Sequence, residues 1–139
     1  MLKIKAYTLV EIMVVLVIVG VLAALAWPNY MAIKEKTLNR EAKASLALIR
    51  AAEKIYRMEQ GFYYPRPVGL VTTVSDINSY LKLSLPQSAT VNWSISVNSN
   101  PTEVARATRT SSDGRVWQLN IPGDTDPACS GGSPSSNCL

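Results

Sequence analysis

The chain has 139 residues, enough for one domain, with a net charge of +4 and a pI of about 9.2. It contains no histidine, no Gly-x-Ser-x-Gly elbow, no phosphate-binding loop and no metal-ligand cluster, so neither an enzyme nor a cofactor is indicated. Without a run of five or six basic residues or a base-stacking motif, the positive charge is no argument for nucleic acid.

The chain opens on a short basic leader, Met1-Leu2-Lys3-Ile4-Lys5, followed by the small residue Ala6. A secretory signal places its apolar region before the cleavage site. Here the apolar region comes after Ala6, so processing at that point would keep it. Lys5-Ala6-Tyr7-Thr8-Leu9-Val10-Glu11 leads into twenty-two uncharged residues, Ile12 to Ile33. As a helix they would extend roughly 33 Å, the thickness of a hydrocarbon core. Glu11 is a single acid at the edge of this segment. An acid deep in a membrane helix costs roughly 2.5–3.5 kcal/mol on insertion scales and marks a functional candidate. The plainer reading puts Glu11 at the interface, helped a little by the positive end of the helix dipole.

Ala6-Tyr7-Thr8-Leu9-Val10-Glu11-Ile12-Met13-Val14-Val15 resembles the cleavage and methylation signal of type IV pilins and related pseudopilins. The family pattern is a small residue, usually Gly, then Phe-Thr-Leu-x-Glu and a hydrophobic helix. Ala6 stands for the Gly and Tyr7 for the Phe. Gly20 and Trp27-Pro28-Asn29-Tyr30 continue the likeness, which covers roughly the first fifty residues. The resemblance implies cleavage between Ala6 and Tyr7 by a prepilin peptidase, and methylation of the new Tyr7 amine by the same enzyme. It implies that Glu11 meets the Tyr7 amine of a neighbouring subunit and sets the registry of packed helices. It also implies that the helix melts or kinks between Gly20 and Pro28 in an assembled polymer. For a single chain, a plain curved helix is expected there.

The expected organisation is a leader at 1–6, a long helix at 7–60 and a globular head at 61–139. Within the helix, 7–33 forms the membrane or filament-core half and 34–60 the amphipathic half. Leu38, Ala42, Leu46, Ile49, Ala52 and Tyr56 recur at three- or four-residue spacing, and Leu48, Ala51 and Ile55 are expected to widen that stripe. The charged residues from Lys34 to Lys54, Glu53 included, are expected mostly on the other faces. Gly61 reads as the helix stop, with Pro65 and Pro67 beyond it.

In the head, Ser75-Asp76 reads as the cap of a short helix running to about Leu81 or Lys82, with Pro86 barring continuation. Three strands follow. Val91, Trp93, Ile95 and Val97 alternate with polar residues; Glu103 to Thr110 is a weaker signal; Val116 to Ile121 puts Trp117, Leu119 and Ile121 on one face. Ser111-Ser112-Asp113-Gly114 reads as the hairpin turn between the last two. The fold class is α+β: a long N-terminal helix packed by a small antiparallel sheet. A head of roughly 75–80 residues has a marginal core and needs the helix to complete it.

Cys129 and Cys138 bracket a segment too polar for a core. A disulfide would close that loop and stabilise it by about 2–3 kcal/mol, and would place the C-terminus in an oxidising compartment. A metal site is the competing reading, but two cysteines without a histidine are a poor ligand set. The pairing resembles the disulfide-bounded C-terminal loop of many type IV pilins. Asp124 and Asp126 are thin evidence for calcium, and Asn92-Trp93-Ser94 matches a glycosylation pattern. Lysine and arginine counts oppose this orientation, with Lys3 and Lys5 before the span and Lys34, Lys36, Arg40 and Lys43 after it.

The leading expectation is a structural subunit of a type IV pilus. It would be a single-pass inner-membrane precursor that then polymerises with itself into an extracellular filament (a fimbrium) for adhesion, motility or DNA uptake. The expected partners are its own copies, the prepilin peptidase/methyltransferase, the pilus or secretion assembly machinery, and the membrane before assembly. The alternatives are a type II secretion pseudopilin forming a periplasmic piston, and an anchored binding protein that never polymerises.

Overall fold

The computed structural model describes residues 7–66, 69–87, 92–100, 103–111, 113–121, 123, 125–131 and 138. The chain divides into two compact units, Met1–Glu35 and Lys36–Leu139. Helix α1, Leu9–Gln60, contributes its first part to one unit and its second to the other.

In the first unit every side chain from Tyr7 to Lys34 is exposed in the single chain. A helix that is apolar all round has no inside face of its own, and it is long and apolar enough to cross a membrane. It is helical through both Gly20 and Pro28. Pro28 donates no bond to the carbonyl one turn back, yet it does not end the helix.

In the second unit α1 is amphipathic. Leu38, Ala42, Leu46, Ile49 and Ala52 are buried as their spacing requires, and Tyr56 is half-buried. Leu48, Ala51 and Ile55 do not widen the stripe. They are exposed, because they fall on the shoulder of the helix beyond the reach of the sheet. Two polar residues take places in the buried stripe instead, Asn39 and Glu53. Gly61 ends the helix at φ 83°, its N–H donating to the Arg57 carbonyl at 2.8 Å, the left-handed cap that glycine adopts without strain.

Among the described residues the head holds five strands rather than three. They are β1 Leu70–Val71, β2 Trp93–Asn100, β3 Glu103–Arg109, β4 Val116–Leu119 and β5 Ala128–Ser130. Helix α2, Val74–Leu81, lies between β1 and β2 in sequence. The sheet is an antiparallel meander in chain order. The two extra strands are its edges, too short to show an alternating pattern of their own. Strand β4 ends at Leu119, although Ile121 beyond it is fully buried.

The cap of α2 also differs from expectation. Thr73, not Ser75 or Asp76, occupies the N-cap position, without a side-chain bond. The helix stops at Lys82, which turns left-handed (φ 53°) and sends its N–H to the Asn78 carbonyl, well before Pro86. Asn78 then fixes the exit by trading two 2.9 Å bonds with the Leu85 backbone.

The inner face of the sheet alternates large and small across the strands. Val97 pairs with Ala105 and Ala105 with Leu119; Ile95 pairs with Ala107 and Ala107 with Trp117. All six are buried, in one core with the α1 stripe, Ile77 and Leu81 of α2, Leu85 and Ile121. The two alanines of the central strand leave room for the bulk on either side.

A polar clamp fixes the sheet to α1. Arg115, fully buried at the start of β4, donates to Asn39 Oδ1 at 2.6 Å and to Asp113 Oδ2 at 2.6 Å. Trp117 Nε1 donates to the same Asn39 oxygen at 3.4 Å, and Trp93 Nε1 donates to the Leu38 carbonyl at 2.9 Å. Burial would raise the Asp113 carboxyl, but the Arg115 bonds and charge win and hold it below its ordinary value. Removing one member of a buried charged pair typically costs 3–5 kcal/mol. Asp113 is partly exposed, so Arg115→Ala is expected to destabilise the head by about 3 kcal/mol. Urea unfolding followed by tryptophan fluorescence checks this; a change below about 1 kcal/mol would show the clamp to be unimportant.

Candidate functional site

The expected site residues lie at the two ends of the chain. Ala6 falls outside the described residues, and Tyr7 is exposed just before α1. The helix start is built by Thr8 and Glu11. The Glu11 backbone N–H donates to Thr8 Oγ1 at 3.2 Å. In return Glu11 Oε2 accepts from the Thr8 N–H at 3.1 Å and from the Thr8 hydroxyl at 3.2 Å. This is a reciprocal capping box, which satisfies N–H groups that a helix start leaves without partners.

The capping role was readable in the Thr-x-x-Glu spacing and is absent from an account of Glu11 built on charge alone. It bears on the chemistry in two ways. It holds the Glu11 side chain toward the N-terminus of its own helix. It also loads both bonds onto Oε2, leaving Oε1 as the acceptor for another donor.

At the other end Cys129, on β5, is joined to Cys138 by a disulfide, with Cα atoms 5.9 Å apart. Trp117 pairs with Cys129 across β4 and β5. Gly131, at φ 73°, sits so close to Gly114 that a Cβ there would meet the Gly114 carbonyl oxygen at 2.5 Å. The loop base is therefore pinned to the β3–β4 turn by a backbone approach that only glycine permits. No group of three or more His, Cys, Asp or Glu able to hold a metal occurs among the described residues; Asp124 lies outside them and Asp126 is exposed.

Residues 1–27 match the family model for the prokaryotic N-terminal methylation motif. The chain carries the prepilin-type N-terminus of pilins and pseudopilins. It is 39% identical over 71 residues to the type II secretion system core protein G of Klebsiella pneumoniae, covering 51% of each chain. With the protein of the same name from Escherichia coli K12 it shares 39% over 72 residues, 52% of this chain and 50% of the other. With the type IV major pilin protein PilA of Myxococcus xanthus it shares 36% over 59 residues, 42% of this chain and 27% of the other. The chain thus spans about half the length, or less, of these curated relatives. No solved structure matches it.

If the capping box sets the first turn of this prepilin-type helix, Thr8→Val removes the hydroxyl from both of its bonds. The loss should be about 1 kcal/mol of local stability, while Thr8→Ser should retain most of it. Amide exchange at Leu9–Glu11 in detergent micelles reads this directly. Equal protection in Thr8→Val and the wild type would remove the cap from the account.

Proposed function

We propose that the chain is a pseudopilin, a structural subunit that polymerises through its N-terminal helix into the short periplasmic filament of a type II secretion machine. The prepilin-type N-terminus, together with likeness to type II secretion core protein G from several bacteria, Vibrio cholerae among them, carries this reading.

The prepilin-type N-terminus and elementary chemistry support the following steps. The apolar half of α1 anchors the precursor in the inner membrane. Cleavage between Ala6 and Tyr7 frees the Tyr7 amine, and a single methyl group leaves that amine positive. Glu11 Oε1 then accepts from the methylated amine of a neighbouring subunit, while Oε2 stays on Thr8 of its own chain. In a water-poor core this ion pair gains Coulomb energy, but desolvation offsets much of it. Its value lies in selection. A misplaced neighbour leaves a buried charge unpaired, at a cost of roughly 3–5 kcal/mol. Gly20 to Pro28 is the segment where the helix would lose its regular bonds during assembly, since Pro28 has already removed one.

A second reading is a type IV pilin of a surface filament, serving adhesion, motility or DNA uptake. The Cys129–Cys138 loop and the likeness to the Myxococcus major pilin favour it. One pair of strains separates the two. Deleting the gene should abolish release of secreted enzymes and leave surface filaments intact; the opposite pattern establishes the pilin. In either case Glu11→Ala should remain in the membrane at wild-type level, with assembled polymer reduced at least tenfold. Normal polymer from Glu11→Ala would overturn the registry role.

A further inference from the structure

Glu53 is fully buried, an acidic side chain in the otherwise mostly apolar stripe of α1. Its Oε2 accepts the Tyr64 backbone N–H at 2.9 Å. Its Oε1 has no hydrogen-bond partner among the described residues. Tyr64 lies in the connection that follows α1, residues Gly61–Arg66, and is itself buried. Its ring stacks on Tyr80 of α2 at 4.9 Å and meets Tyr56 of α1 edge-on at 5.9 Å; Tyr56 meets Phe62 at 6.0 Å. One carboxyl therefore holds the backbone of a connection that joins α1 to α2 through a run of aromatic rings.

We propose that Glu53 is a proton-dependent latch, and that its ionisation releases the Gly61–Arg66 connection while the sheet stays folded. The groups that raise the neighbouring Tyr64 hydroxyl, beyond its burial, are Asp76 and Tyr80 on α2 and Tyr56 and Glu53 on α1. None of them supplies positive charge. The cation one turn along the helix, Arg57, is directed away, donating to the Tyr63 hydroxyl at 2.9 Å and lying over that ring. Arg50, one turn back, donates to the Thr125 carbonyl, and no charged group moves the Glu53 carboxyl, so ionised Glu53 would be a buried anion held by one backbone donor. The protonated acid keeps the Tyr64 bond and loses the charge. Burial outweighs the Tyr64 bond and pushes the Glu53 carboxyl up to about 7 from 4.5.

The sign follows. The closed state holds its proton to about pH 7, while an opened, hydrated Glu53 loses it near 4.5. Between those values the open state binds fewer protons, so the closed state loses stability as pH rises, and the loss levels off above about 7. Opening moves Phe62 and Tyr63. Tyr63 lines an open groove of about 480 Å³ with Lys54, Arg57, Met58 and Ile121, so the latch sets the shape of that surface.

Hydrogen exchange on the full chain in detergent tests this, corrected for intrinsic rates, with β2 amides as the internal reference. From pH 5.5 to 8.5 the opening constant of residues 61–66 should rise about thirtyfold while β2 holds steady. In Glu53→Gln, which keeps an acceptor for Tyr64, the rise should vanish. Constant protection of 61–66 in the wild type, or an equal rise in Glu53→Gln, would overturn the latch. A parallel loss in β2 would overturn its local character.

Discussion

The sheet of this head cannot make a core alone. Its edge strands are short, its central strand presents Ala105 and Ala107, and its buried side chains lie on one face. What completes it is the stripe on α1, where Leu46 and Ile49 lose all contact with solvent. At the usual gain for a fully buried leucine or isoleucine, each contributes about 1.5–3 kcal/mol, a large share for a head of this size. Alternation of the strands, placement of the indoles and burial of Arg115 all depend on that stripe being present. The same helix, nearer its N-terminus, is apolar on every side and needs a different solvent. One element thus supplies a core to the head and an apolar stretch long enough to cross a membrane.

Within the core, hydrophobic packing is tolerant of sliding and polar groups are not. Asn39 receives both the Arg115 guanidinium and the Trp117 indole, and Trp93 bonds the Leu38 carbonyl one residue away. Two strands are thereby tied to adjacent residues of one helical turn. Lys43 lies over the Trp117 ring at 4.4 Å, adding a cation–π contact on the solvent side of the same turn. A similar logic operates at the N-terminus, where Thr8 and Glu11 cap each other through Oε2 of the carboxylate.

Much of this was legible in the residues, for physical reasons. Helical spacing from Leu38 to Tyr56 marked the buried stripe, alternation in Trp93–Val97 and Trp117–Ile121 marked the inner face, and Gly61 marked the end of α1. The failures have equally physical causes. β1 and β5 exist because a neighbour offers hydrogen bonds, and two or three residues carry no period. Leu48 and Ile55 match the helical spacing yet stay exposed, because the width of the covered stripe is set by the sheet. Asn39, Glu53 and Arg115 are polar, so a hydrophobic pattern assigns them to solvent; only their partners explain their burial. Lys82 adopts a conformation usually left to glycine, and nothing in its residue type announces it.

In the proposed assembly the apolar helix begins at a processed Tyr7 whose amine meets Glu11 of another copy. Intact mass of the protein recovered from assembled filaments tests it most directly. The expected mass shows loss of residues 1–6, the addition of one methyl group, and a deficit of two hydrogens for the Cys129–Cys138 bond. A mass equal to the full chain, found only in membranes, would contradict it.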